Sequence, residues 1–292
     1  MRRFWLVLLA VFLVLACLTG CAPSKRVEIL PGPSPTPGGL NIAQAQQALP
    51  SASPSQQPSA PAEASQEPQE SEENAGRPTP PPPVTEDSKI VYLTFDDGPS
   101  KNTEALLEVL AEKQVPATFF ILGTNADDHP ERVEAIAAAG HLVANHTYSH
   151  QTDEIYQSAD ALLADIEKCA ETIRSILGEE YPTDLFRFPY GSTNKACRDY
   201  RQAVREAGYR YFDWNALNGD AETGTYKRTP EELLERFKQT VDDVDGRKNE
   251  VIVLMHDTGS KENTVKMLGD AIDYLKELGY EFRTLEYAQM KD

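Results

Sequence analysis

The chain has 292 residues and carries 46 acidic against 28 basic side chains, a formal net charge of −18. No basic stripe exists to meet phosphates, which excludes a nucleic-acid partner. Apolar residues are distributed so unevenly that length alone misleads about domain count, and no internal repeat is present.

The first twenty residues form a leader. Arg2 and Arg3 precede an apolar run, residues 4–18, that ends in Leu18-Thr19-Gly20-Cys21. The run falls short of the ~20 apolar residues that span a bilayer, so a cleaved signal is favoured over a permanent span. Leu-Thr-Gly-Cys resembles the lipobox of bacterial lipoproteins, which implies lipid attachment at Cys21 and an extracytoplasmic, membrane-anchored protein facing the cell wall. The alternative is ordinary cleavage with Cys21 a bystander.

Residues 21–88 are rich in Pro, Ser, Gln, Ala and Glu and hold 15 of the 21 prolines. Such a segment cannot bury enough apolar surface to offset chain ordering, so it is expected to be a disordered linker. The stretch from Pro78 to Pro83 is expected to be extended polyproline II. A tether of about 65 residues reaches ~45 Å when flexible and ~200 Å when fully extended.

From residue 89 to 292 the hydrophobic period alternates between strand-like and helix-like. Strands are expected at 89–95, 117–122, 141–145, 185–188, 209–213, 251–256 and 280–285, and helices at 103–114, 131–139, 159–177, 196–207, 230–244 and 264–278. Gly140, Gly178, Gly208 and Gly279 stand where helices should stop. The pattern predicts an α/β fold with a parallel sheet: a distorted (β/α)7-type barrel, or alternatively an open doubly wound sheet. In either, polar residues that end strands converge on one face. Five strands end so, at Asp96-Asp97, His146 with His150, Arg187, Asp213 and His256-Asp257.

Adjacent strand residues point to opposite faces, so Asp96 and Asp97 share a site only if the chain turns, which Gly98 and Pro99 allow. Two carboxylates brought together call for a cation. His146 and His150 are four apart, a spacing that one helical turn would bring to one side. Two histidines with one carboxylate form a catalytic zinc set. His129 before Pro130 and His141 at a strand start read as structural or solvent-facing. Cys17 leaves with the leader and Cys21 is assigned to lipid, so Cys169 and Cys197 remain as a candidate disulfide in an oxidising compartment, or as two free thiols.

Thr94 to Pro99, His146 to His150, Arg187-Phe188-Pro189-Tyr190-Gly191, Asp213-Trp214 and Leu254-Met255-His256-Asp257 resemble, in order, the five motifs of the polysaccharide deacetylase (NodB homology) family, carbohydrate esterase family 4. The resemblance covers residues 89–285. It implies a metal-dependent hydrolase that removes N-acetyl groups from a cell-wall or chitin-like polysaccharide, with peptidoglycan preferred because of the tether. An O-acetyl esterase with the same site and a non-catalytic glycan-binding lipoprotein are the alternatives. It further implies that Asp97, His146 and His150 hold a divalent metal, zinc first, with cobalt, nickel or manganese as alternatives. Asp96 is implied as general base toward a metal-activated water and His256 as the acid that protonates the departing amine. Arg187 would orient Asp96, and Asp213 would pair with His256. The Tyr190 N–H would stabilise the oxyanion, and Trp214 and Leu254 would line the acetyl recess. Asp257 is taken as supporting. Many relatives carry an additional aspartate upstream of the Asp-Trp pair, where this chain has Tyr209-Arg210-Tyr211-Phe212. A monomer is expected.

Overall fold

The computed structural model describes residue 85 and residues 88–289 except 223, 225, 226 and 248. The leader 1–20, Cys21 and the linker as far as residue 84, including Pro78 to Pro83, lie outside the described residues.

In chain order the elements are β1 (Ile90–Gly98), α1 (Thr103–Lys113), β2 (Thr118–Ile121), α2 (Gly123–Asp128), α3 (Pro130–Ala138), β3 (Leu142–Asn145), α4 (Thr152–Ile155) and α5 (Ala159–Leu177), followed by β4 (Leu185–Phe186), α6 (Arg201–Glu206), β5 (Arg210–Tyr211), β6 (Ala216–Leu217), α7 (Pro230–Val244), β7 (Glu250–His256), α8 (Glu262–Glu277) and β8 (Glu281–Phe282). The helices at 159–177 and 230–244 fall where the sequence places them. Ser158 caps the first through its hydroxyl, and Thr229 with Glu232 forms a reciprocal capping box on the second. The four stop glycines all adopt positive φ.

Every described strand pairing is parallel, in the order β5-β4-β3-β2-β1-β7-β6. β7 covers one edge of β1 along its length, so β8 and β2 share the other, β8 at Ile90–Val91 and β2 from Thr94 onward. The segment 210–217 pairs with β4 at its start and with β7 at its end. One chain segment thus carries the curled sheet round from β4 to β7, and its break at 212–215 distorts the barrel. The strand expected at 209–213 is shortened to β5, and β6 has no counterpart among the expected strands.

Strand parity divides the core. Val91, Leu93 and Phe95 join the large cluster under the helices, while Ile90 and Tyr92 face a smaller interior cluster with Phe120, Ala144 and Leu185. Counting onward in twos from these interior residues reaches Thr94 and Asp96 on β1, His146 after β3, Arg187 after β4 and, from Ile252, Leu254 and His256 on β7. The interior column that packs the barrel therefore becomes polar at its carboxyl-terminal mouth.

Cys169 and Cys197 are free and buried in different clusters, so the candidate disulfide is not formed. The Cys169 thiol points at the Ile121 carbonyl, 3.7 Å away, and the Cys197 thiol donates to the Gly191 carbonyl at 3.2 Å. Burial raises the pKa of both thiols.

Candidate active site

A β-bulge resolves how adjacent aspartates reach one site. The β1–β2 register shifts between Asp96 and Gly98, and Asp97 takes φ +69°. Gly98 is required here by space, because a Cβ on it would meet Asp257 Oδ2 at 2.7 Å. Asp97 Oδ1 then lies 3.4 Å from His146 Nε2 and 3.7 Å from His150 Nε2, and the three ligand atoms fall within 4.8 Å of one another.

The two histidines do not come together by a helical turn. Residues 146–150 form an irregular loop in which Thr147 and His150 have φ of +73° and +55°. Asn145 Oδ1 accepts the Thr147 N–H, and Asp165 Oδ1 on α5 accepts the N–H groups of both Tyr148 and Ser149. His146 Nδ1 sits 2.9 Å from the Arg187 carbonyl. A carbonyl only accepts, so Nδ1 carries the proton and Nε2 is left as a ligand atom. Burial lowers the His146 pKa to about 3, which keeps the ring neutral.

These residues fit a divalent metal. Asp97 Oδ1 is a buried carboxylate oxygen with no hydrogen-bond partner, pointed between two imidazole nitrogens. Such an orphan is costly unless a cation meets it. Spacings of 3.4–3.7 Å are also what donors about 2.0–2.2 Å from one tetrahedral zinc would show.

Arg187, fully buried, donates from Nη1 to Asp96 Oδ1 at 2.8 Å and to Thr94 Oγ1 at 2.6 Å, and from Nε to the Phe212 carbonyl at 2.9 Å. Burial raises the Asp96 carboxyl pKa, with Arg187 and His256 opposing. Asp96 and His256 are directly opposite in the β1–β7 register.

The partner of His256 is Asp220, not Asp213. Asp220 Oδ1 lies 2.7 Å from His256 Nδ1, and its Oδ2 accepts from the His256 N–H and the Thr264 hydroxyl. Burial alone would lower the His256 pKa, but the hydrogen bond and charge of Asp220 overcome it and hold the imidazole at about 9. Asp213 is occupied elsewhere, accepting the N–H and hydroxyl of Ser192 at 2.8 and 2.6 Å. The reason is topological: Asp213 precedes the break at 212–215, whereas Asp220 follows β6, the strand that adjoins β7. Asp220 was legible only as an acidic residue in a loop.

Tyr190 is 66 % exposed with φ +62°, and its ring meets His150 edge-on at 5.5 Å. Its N–H has no acceptor among the described residues and stays available to a ligand. Gly191 follows at φ +83°, where a Cβ would crowd the Trp214 ring at 3.1 Å. Leu254 is buried two residues before His256 on the interior face, and Trp214 is half-buried, its ring 5.8 Å from Arg187 Cζ. Asp257 accepts from Ser100 and Thr103 and so pins the loop after β1. His141 is buried and accepts the Ala117 N–H, as a structural histidine. His129 borders a cavity of about 470 Å³ that opens against Asp97 and His150, beside Lys101 and Asn125. Asn125 also holds the Asp97 carbonyl at 2.8 Å, a supporting contact for which the sequence has no signal.

Comparisons with known proteins agree with this geometry. The family model described as polysaccharide deacetylase matches residues 84–212. The peptidoglycan-N-acetylglucosamine deacetylase of Bacillus cereus is 32 % identical over 195 residues, covering 66 % of this chain and 68 % of that protein. The chitooligosaccharide deacetylase of Rhizobium leguminosarum bv. trifolii is 32 % identical over 212 residues, 68 % of this chain and 91 % of its own. The solved catalytic domain of a peptidoglycan N-acetylglucosamine deacetylase from Eubacterium rectale superposes with a TM-score of 0.61 at 32 % identity, covering 72 % of this chain and 96 % of that one. A parallel curled barrel with an Asp-His-His triad at its mouth and these relatives identify the chain as an enzyme of the polysaccharide deacetylase family, carbohydrate esterase family 4.

Proposed function

We propose that the protein removes N-acetyl groups from a cell-wall polysaccharide, with the N-acetylglucosamine or N-acetylmuramic acid of peptidoglycan as substrate. The observation that carries this is the placement of Asp96 and His256 opposite each other in register on adjacent strands, with Asp96 Oδ2 3.8 Å from His146 Nε2 of the Asp97-His146-His150 triad.

A divalent metal on Asp97, His146 and His150, zinc by preference, supplies Lewis-acid polarisation of the acetyl carbonyl and a lowered pKa for water. Asp96 Oδ2, opposite the oxygen tied to Arg187, takes the proton from the attacking water. The Tyr190 N–H donates to the carbonyl oxygen as its negative charge grows. His256, already protonated at neutral pH, delivers its proton to the amide nitrogen, and the C–N bond breaks to leave acetate and a free amine. Asp220 keeps that imidazole oriented and charged. Leu254 supplies apolar surface for the acetyl methyl, and Trp214 the wall behind Arg187.

The same proposal assigns residues 1–20 as leader, Cys21 as the lipid-modified anchor, 21–88 as tether and 89–292 as a monomeric catalytic domain outside the membrane. The names of relatives that act on peptidoglycan and chitooligosaccharide support a glycan substrate. Mass spectrometry of enzyme-treated, digested peptidoglycan tests it. Loss of 42 mass units per sugar on N-acetylglucosamine or N-acetylmuramic acid fragments is expected, about the mass by which an acetyl exceeds the hydrogen that replaces it. Unchanged wall alongside acetate release from acetylated xylan would replace the N-acetyl reading with an ester one.

A further inference from the structure

Of the eleven arginines among the described residues, seven have a carboxylate within ion-pair distance: Arg132, Arg174, Arg187, Arg210, Arg228, Arg236 and Arg283. Arg198, Arg201, Arg205 and Arg247 have none among the described residues. Scarcity of acid is not the cause, since the chain holds 46 acidic side chains against 28 basic ones. Three of the four line a single cleft of about 830 Å³ that lies along the break between β5 and β6.

The placement comes from two elements. Arg201 and Arg205 are four apart on α6 and so share a face, and Arg247 rises from the turn between α7 and β7. Arg201 donates from Nε to the Arg198 carbonyl, and Arg205 from Nη1 to the Tyr211 hydroxyl. Most of their guanidinium donors stay open. Two carboxylates share the cleft: Asp213 accepts the N–H and the hydroxyl of Ser192, and Glu250 accepts from the Tyr92 hydroxyl. Tyr211 and Trp214 form its aromatic wall.

We propose that this cleft is a second glycan site, separate from the metal triad, that holds a sugar bearing an anionic group, a carboxylate or a phosphate. Tyr211, over whose ring Arg205 Cζ sits at 5.7 Å, and Trp214 line the cleft with aromatic surface for the sugar ring. The guanidinium forks match a planar carboxylate or a phosphate through paired N–H donors. Its occupancy does not depend on deacetylation, so it can fail while the deacetylase reading stands.

The chain has two tryptophans, Trp5 and Trp214, so in the full chain carrying Trp5→Phe the indole emission comes from Trp214 alone. Calorimetry and Trp214 fluorescence are followed while trigalacturonate, glucose 6-phosphate or neutral cellotriose is added. At least one acidic probe is expected to bind saturably with a change in Trp214 emission, and to weaken as salt is raised, while cellotriose does not bind. The probe that binds identifies the anion. The double variant Arg201→Gln with Arg205→Gln should weaken Kd by roughly tenfold or more, since bonds to charged donors are involved. Arg247→Gln, on a different element, should weaken it also and keeps the test valid if the double variant misfolds. Acetate release from neutral N-acetylglucosamine oligomers should stay at the wild-type rate in these variants. Absence of saturable binding by both acidic probes, equal binding of cellotriose, or wild-type affinity in the variants would overturn the proposal.

Discussion

Asp220 Oδ1 lies 2.7 Å from His256 Nδ1 and turns a histidine into a cation that persists above neutral pH. In the proposed mechanism the imidazolium is the proton donor, so activity is expected to follow its charged form. With the folded value raised to about 9 from 6.5, that form stays nearly fully populated until about one unit below the folded value and is lost as pH rises through about 9. The stabilisation from the pair is full below about pH 6.5 and is lost as pH rises from there through about 9. The alkaline limb of kcat/KM is therefore expected near pH 9. Asp220→Asn should move it down toward the ordinary histidine range, whereas Asp213→Asn should leave it in place. A pH–rate profile of the two variants decides between the aspartates, and an unmoved limb in Asp220→Asn would restore the choice of Asp213.

Asp96 and the metal triad separate in a second experiment. Asp96→Asn keeps the shape of the site and removes the proposed base, so kcat should fall about 10²–10⁴-fold with metal content unchanged. His146→Ala removes a proposed ligand, one oriented by the Arg187 carbonyl, and should lose the metal itself. Elemental analysis of both purified variants checks the assignment, and full metal occupancy in His146→Ala would sink it.

Arg187 is buried with Asp96, and removing it leaves a carboxylate alone inside the barrel mouth. Arg187→Met should cost about 3–5 kcal/mol of stability by urea denaturation. Burial already raises the Asp96 pKa, and loss of the guanidinium raises it further. A group whose folded pKa is raised favours the protonated fold, so the loss should grow as pH climbs above the ordinary carboxylate range. The acid limb of kcat/KM should shift to higher pH as well. Equal stability of variant and wild type at neutral pH would contradict this.

Much of this was legible from residue parity. Asp96, His146, Arg187 and His256 each continue the interior series of a strand, and a period of two is visible where strands are long, as in β1 and β7. Asp220 was not legible, because β6 has only Ala216 and Leu217 and two residues show no period. The Asp-Trp pair at 213–214 then stood in for the missing strand end. His146 and His150 were correctly grouped for a mistaken reason: a spacing of four fits a helical turn and equally a loop with left-handed residues at 147 and 150. The short helices α2 and α4 carry too few residues for a helical period. Cys169 and Cys197 were paired by elimination, and nothing in their sequence neighbourhood reveals that they belong to different clusters.

Those thiols give a further check. Both are free, so a reductant should leave Tm unchanged, and denaturation without reduction should expose both to alkylation. Peptide mass spectrometry showing Cys169 linked to Cys197 would contradict the structure.

Metal-dependent deacetylation is tested most directly by acetate release. The purified protein, given N-acetylglucosamine oligomers or peptidoglycan, should release acetate, lose that activity on dialysis against a chelator and regain it when zinc or another first-row divalent ion is added. An unchanged rate in chelator, with the metal verified absent, would contradict the role assigned to Asp97, His146 and His150.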